Sequence, residues 1–168
     1  MTNRAKILSG VCAILLSSLP AFLAQGQSHE TLSEPLLIMR LHAEGAQLYE
    51  CKLVESDTLE WRLREPIAVL LRNGRTVGRH YAGPNWELDD GSSVVARVAA
   101  RAPGATREDV PLLWLEVETR RGHGRLSEAA TIERANTKGG AASGACGTIG
   151  AILSVPYSAD YAFMRRPD

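Results

Sequence analysis

Residues 59–81 read LEWRLREPIAVLLRNGRTVGRHY. Apolar and charged side chains alternate over residues 59–64, which is the period of a strand with one buried face. A continuous apolar run then leads to Asn73-Gly74, the dipeptide most typical of a tight turn between two antiparallel strands. This stretch therefore predicts a β-hairpin.

The same two-residue period recurs on both sides of this hairpin. Tyr49, Cys51 and Leu53 fall on one face of a strand, and residues 93–100 form another alternating run. Near the C-terminus two short apolar runs flank Pro156, which predicts two separate strands. Turn signals recur about every 8–12 residues, which is typical of sandwiches and barrels. The sequence therefore predicts an all-β fold, a single antiparallel β-sandwich or barrel domain.

The N-terminus has the pattern of a secretory signal peptide. Arg4 and Lys6 precede a short apolar run, and small residues close the segment at residue 26. We therefore expect residues 1–26 to be a signal peptide and the protein to be secreted or periplasmic. The remaining residues, 27–168, are predicted to form one β-rich domain with a flexible start at 27–34.

Composition narrows the function classes. The chain has 168 residues, with 19 basic and 19 acidic side chains. A neutral chain lacks the basic excess of a nucleic-acid-binding protein, so no nucleic-acid partner is predicted. No apolar run after residue 26 is long enough to span a bilayer, so no membrane span is predicted in the mature chain.

Two of the three cysteines remain after the predicted cleavage. In an oxidising compartment Cys51 and Cys146 are expected to form one disulfide. A metal pair or a reactive thiol is the alternative, but neither cysteine lies in a C-x-x-C or Cys/His cluster. Cys146 lies in a glycine-rich loop, residues 137–150, which the disulfide would hold in place.

His80 is the leading candidate for chemistry. It lies on a predicted strand shortly before a Gly-Pro turn, where it could act as a general base oriented by a carboxylate such as Asp89 or Asp160. The structural alternative is a histidine whose ring nitrogens bond to the backbone of the turn. The four histidines of the mature chain show no H-x-H or H-x-x-x-H spacing, and no metal or cofactor is predicted.

Aromatic and polar residues in turn-adjacent segments predict a ligand-binding cleft. Rings with nearby carboxylates suit a small molecule or a carbohydrate, although the same rings could simply fill the core. The predicted ligand-binding residues are His80, Tyr81, Trp86, Asp90, Tyr157 and Tyr161.

Four short motifs carry a family resemblance: His-Tyr-Ala-Gly-Pro-x-Trp at 80–86, Asp-Gly-Ser at 90–92, Asn-Thr-x-Gly-Gly at 136–140 and Val-Pro-Tyr-Ser-Ala-Asp-Tyr at 155–161. With them the chain resembles a family of secreted bacterial and fungal proteins catalogued as a domain of unknown function. Some fungal relatives carry a malate dehydrogenase label. That activity is not expected here, because no G-x-G-x-x-G follows a strand. The resemblance implies no catalytic residues, but it strengthens the Cys51–Cys146 pairing.

Three functions are compatible with these patterns. The first is a non-enzymatic extracytoplasmic binding module for a small molecule or sugar. The second is a hydrolase-like or metal-dependent enzyme that uses His80. The third is a structural or envelope-interaction protein, which would present a large apolar patch or an open sheet edge.

Overall fold

The structure is a computed structural model that describes residues 36–55 and 57–167. The predicted signal peptide at 1–26 and the predicted flexible start at 27–34 lie outside these residues. The described residues form no helix, and therefore none that is long and apolar enough to cross a membrane. Their strands are β1 (Leu36–Leu53), β2 (Leu59–Arg72), β3 (Arg75–Tyr81), β4 (Asn85–Leu88), β5 (Ser93–Ala102), β6 (Leu112–Arg121), β7 (Thr131–Gly139) and β8 (Ile152–Arg165).

The strands form one closed antiparallel barrel in simple sequence order. Each strand pairs with the next along the chain, and β8 pairs with β1 to close the sheet. The all-β antiparallel prediction is confirmed, and of its two forms the structure has the barrel. The predicted disulfide is also confirmed, with 5.9 Å between the Cα atoms of Cys51 and Cys146.

The prediction of two strands around Pro156 is wrong, because β8 runs through this residue without interruption. A proline has no N–H to donate to a neighbouring strand. Pro156 lies one residue beyond Gly139↔Tyr157, where the pairing of β8 with β7 ends, so the missing donor removes no bond to β7. On its other side Pro156 is opposite Ala46 of β1.

One end of the barrel is closed by apolar side chains. The β6–β7 connection, residues 122–130, places Leu126 and Ala129 in the same buried core as Leu88 and Phe163. The side chains of Leu126 and Ala129 are fully buried. We call this the closed end.

The opposite end is open on one side because one hairpin is short. There β3 and β4 have only 7 and 4 residues, whereas the flanking β2 and β5 have 14 and 10. The β2–β3 pairing stops at Ala68↔His80, so the N-terminal part of β2 extends past the hairpin. We call this the open end.

The β7–β8 connection at the open end is fastened to β1 and β2. Besides the disulfide, the Trp61 amide donates to the Gly144 carbonyl oxygen at 3.1 Å, and the Cys146 amide donates to the Leu59 carbonyl oxygen at 2.9 Å. These bonds explain why a glycine-rich segment takes a defined path here.

Candidate functional site

An aromatic cluster lies inside the barrel near the open end. His80 and Trp86 are direct cross-strand partners, and both point inward. Their rings stack with 4.4 Å between centroids and 11° between planes. Tyr161 of β8 meets both rings edge-on, at 5.2 Å from His80 and 5.3 Å from Trp86. Such stacked and edge-on pairs hold each ring in one orientation.

His80 is held as a neutral ring. Its Nδ1 lies 2.7 Å from the Asn85 carbonyl oxygen, so this nitrogen carries the proton and donates it. Burial, with a smaller contribution from the Arg134 charge, lowers the pKa of His80 to about 4 against the opposing effect of the Asn85 bond. At neutral pH the site therefore contains an uncharged imidazole whose Nε2 is an acceptor.

Buried polar side chains surround this cluster. Gln47 of β1, Arg134 of β7 and Tyr157 of β8 all face the barrel interior and are buried. Two polar atoms here have no hydrogen-bond partner in the protein, Gln47 Nε2 and Trp86 Nε1, and the hydroxyls of Tyr157 and Tyr161 have only each other and the Arg134 guanidinium as weak partners. Buried polar groups in folded proteins are nearly always hydrogen-bonded, so these incompletely bonded groups around one cluster need an explanation.

A cavity at the open end reaches this polar cluster. Its volume is 310 Å³. The lining residues come from β1, β2, β3, β5, β6, β7 and two connecting loops: Gln47, Leu63, Arg64, Glu65, Pro66, His80, Gly83, Pro84, Val98, Arg101, Pro111, Leu113 and Arg134. The buried lining residues Gln47, His80 and Arg134 are polar. The more exposed part of the lining, which we call the rim, combines apolar side chains with Arg64, Glu65 and Arg101.

The Asn-Thr-x-Gly-Gly motif supports the floor of the cavity. Gly140 has a φ of 84°, and a Cβ built there would lie 2.6 Å from Tyr157 Cβ and 3.1 Å from Gln47 Cγ. The Gly140 carbonyl oxygen accepts a bond of 2.7 Å from the Tyr49 hydroxyl. Only glycine satisfies both the backbone conformation and the close approach.

The structure brings together four of the six predicted ligand-binding residues, namely His80, Trp86, Tyr157 and Tyr161. Tyr81 lies on the outer face of the barrel, where its hydroxyl donates to Glu87 at 2.8 Å. Asp90 lies in the β4–β5 turn of the closed end, where it accepts bonds from Ser92 and Arg125.

The two carboxylates suggested as partners of His80 are engaged elsewhere. Asp89 pairs with Arg125 at the closed end. Asp160 accepts bonds from His42 at 2.7 Å and from Asn136 at 2.8 Å. Burial acts to raise the pKa of Asp160, but those two bonds outweigh it and hold the pKa below its usual value. The backbone bond of His80 matches the structural alternative considered from sequence.

Two residues of the cavity floor, Gln47 and Arg134, were not predicted. A signal for both exists in the sequence. Gln47 lies two residues before Tyr49 and four before Cys51, so all three face the inside of the barrel. Arg134 lies two residues after the inward-facing Ile132 and therefore also faces inward. A polar residue at an inward position of an alternating strand is therefore the pattern that would have found them.

No group of three or more His, Cys, Asp or Glu side chains suited to a metal ion occurs within the described part of the chain. The donors at the cavity floor are instead an amide, hydroxyls, an imidazole and a guanidinium.

Together these features define a class: a closed eight-stranded up-and-down barrel with a polar interior cavity at one end. Barrels of this size are wide enough to hold one small ligand. The chain belongs to the family described as "Protein of unknown function (DUF3455)", whose model matches residues 32–165. No curated protein and no solved structure matches the chain.

Proposed function

We propose that this protein is a non-enzymatic extracytoplasmic binding module that holds one small molecule in the open end of its barrel. The observation that carries this proposal is an open cavity of 310 Å³ whose lining includes the buried polar side chains of Gln47, His80 and Arg134. Within that lining, Gln47 Nε2 has no hydrogen-bond partner. Leaving a buried donor or acceptor without a partner costs about 1–3 kcal/mol. A ligand that supplies the missing partner offsets this cost.

Cavity size and lining agree with a small ligand. Ligand sites in proteins usually have volumes of about 300–1,000 Å³, with mostly apolar walls and a few placed polar groups. This cavity is at the lower end of that range. Its rim includes Leu63, Val98 and Leu113, whereas its floor is polar.

The contacts of the carboxylates favour binding over catalysis. A histidine acting as general base is usually oriented by a carboxylate, but here the Asn85 carbonyl oxygen has that position. Asp89 and Asp160 are held by other side chains. The site can therefore recognise a ligand without a carboxylate–histidine pair to move a proton.

The disulfide supports the extracytoplasmic part of the proposal. Disulfides persist in exported proteins and are rare in reducing compartments. The pairing of Cys51 with Cys146 fits export guided by the signal peptide predicted at 1–26.

Native mass spectrometry of the protein purified from its own cells tests the proposal. We expect one added mass per chain, and denaturing mass spectrometry should release that mass as a small organic molecule. The released compound is then titrated against the Gln47→Leu and Tyr81→Phe variants. These remove a polar group from the cavity lining and from the outer face.

We expect Gln47→Leu to weaken binding about 5- to 10-fold, which corresponds to the loss of about one hydrogen bond. The Tyr81→Phe variant should bind as the wild type does. Equal affinity in both variants would place the ligand outside the cavity and contradict the proposal. Turnover of the released compound that His80→Gln abolishes would favour the enzyme alternative.

A further inference from the structure

Arg134 is a buried cation at the cavity floor. It lies on β7 opposite Tyr161, and only 9% of its surface is exposed. Its Nε donates to the Pro111 carbonyl oxygen at 3.0 Å, which anchors one edge of the guanidinium.

No carboxylate of the described residues lies within 4.0 Å of Arg134. The titratable groups that sense its charge are His80, Tyr157 and Tyr161. Burial lowers the pKa of His80 and raises the pKa of both tyrosines, so all three are neutral near pH 7. Buried charges in proteins are normally paired, and this pairing is missing here.

The other charged side chains that line the cavity are mostly positive, as Arg134 is. Arg64 and Arg101 line it together with Arg134, against a single carboxylate, Glu65. Glu65 already pairs with Arg64 at 3.3 Å. A concave site with excess positive charge attracts anions and raises their rate of entry.

The polar groups that line the cavity are suited to an anion. Gln47 Nε2 is a donor without a partner, and the Arg134 guanidinium belongs to the same lining. A guanidinium presents its N–H groups as a planar fork that matches the two oxygens of a carboxylate. An anion at this position would receive several charge-assisted bonds at once.

The apolar side chains of the rim indicate the chemistry of the part of the ligand that lies away from Arg134. Leu63 and Val98 are exposed apolar side chains that line the cavity, and Pro66 and Leu113 belong to the same lining. An apolar group leaving the polar floor would contact these side chains.

We propose that the ligand of this barrel is a small amphipathic carboxylic acid whose carboxylate pairs with Arg134 and whose apolar body lies between Leu63 and Val98. This inference rests on the proposed function, because it names the chemical class of the small molecule.

Isothermal titration calorimetry with octanoate, octan-1-ol and inorganic phosphate tests the inference. Octanoate and octanol share an apolar chain and differ in the head group, whereas phosphate offers an anion without that chain. We expect the wild type to bind octanoate at least 10-fold more tightly than octanol, and to bind phosphate weakly.

The Arg134→Gln variant should lose at least 10-fold in octanoate affinity and keep its octanol affinity. Arg97→Gln is the matched control, because Arg97 pairs with Glu116 on the outer face and should affect neither ligand. Should Arg134→Gln fail to fold, the comparison of octanoate with octanol in the wild type still tests whether the protein recognises the carboxylate.

Equal wild-type affinity for octanoate and octanol would overturn the inference and leave the proposed function intact. Tight phosphate binding without octanoate binding would also overturn it. Failure of all three compounds to bind, together with a bare chain in native mass spectrometry, would overturn both proposals.

Discussion

The two ends of the barrel are built from the same strands but have opposite interiors. At the closed end the inward positions are apolar, and Leu126 of the β6–β7 connection completes the core. At the open end the inward positions include Gln47, His80 and Arg134, and a cavity reaches them. Under the proposed function, the closed end contributes most of the stability, and the open end is less stable because its buried polar residues are kept for a ligand.

The largest expected effect is at the closed end. We expect Leu126→Ala to lower the free energy of unfolding by about 2–5 kcal/mol, because it removes a fully buried side chain and leaves a cavity. Urea unfolding measures this change. Leu53→Ala is the same substitution at a site that is 57% exposed, and it should cost less than about 0.5 kcal/mol. A similar loss for both leucines would remove the distinction between the core and the surface of the barrel.

The disulfide is the main covalent support of the open end. Replacing Cys51 and Cys146 by alanine should lower the free energy of unfolding by about 2–4 kcal/mol, because the bond closes a loop across 95 residues. Hydrogen exchange should become faster mainly in residues 140–151, while amides around Leu126 keep their relative protection. Uniform acceleration across the barrel would show that the two ends are not separate in stability.

Buried His80 gives the open end a pH dependence. Its pKa is about 4 in the folded protein against 6.5 for the ordinary side chain, so the unfolded chain binds the proton more tightly. The stability that depends on the neutral ring is therefore complete above about pH 6.5 and is lost as the pH falls towards 4. The full loss is roughly 3 kcal/mol by linkage.

Urea unfolding between pH 7 and pH 4 tests this linkage with His80→Gln. The variant should lose most of the pH slope in that window. His123→Gln, at an exposed position of the β6–β7 connection, should retain that slope. Carboxylates with lowered pKa, such as Asp160, add their own loss of stability only at lower pH. An unchanged slope in His80→Gln would contradict the neutral buried ring.

The smallest expected effect on stability is in the buried aromatic cluster. Removing the hydroxyl in Tyr161→Phe should change the free energy of unfolding by less than about 1 kcal/mol, because its contacts with Tyr157 and Arg134 are too weak to count as full hydrogen bonds. Thermal unfolding of the ligand-free variant measures it. A loss above about 2 kcal/mol would mean that the hydroxyl has a structural partner, which would weaken the case for a binding site.

The sequence predicts the closed end and the scaffold better than the open end. Asn73-Gly74 indicates the hairpin directly, and two cysteines in an exported chain indicate the disulfide, because both signals are local or nearly unique. The pairing of β1 with β8 joins residues more than 100 positions apart, for example His42 with Asp160, so no local pattern could separate a barrel from a sandwich.

The candidate site was predicted only in part, because some of its residues also meet through pairings between strands that are distant in sequence. His80 and Trp86 belong together because a tight hairpin pairs them, and their motif shows it. Tyr81 is adjacent to His80 in sequence but points outward, since neighbouring residues of a strand face opposite sides. Arg134 and Gln47 line the same cavity only after the barrel closes, so no local sequence pattern shows that they belong to one site.

Chemical-shift mapping by NMR with octanoate tests the central claim most directly, because it reports on both ends of the barrel at once. We predict that octanoate shifts the Gln47 side-chain amide, the Arg134 Nε–H and the His80 backbone amide. The amides of Leu126 and Phe163 at the closed end should stay where they are. Shifts centred on the closed end or the outer face, or no shifts up to the solubility limit of octanoate, would contradict the account.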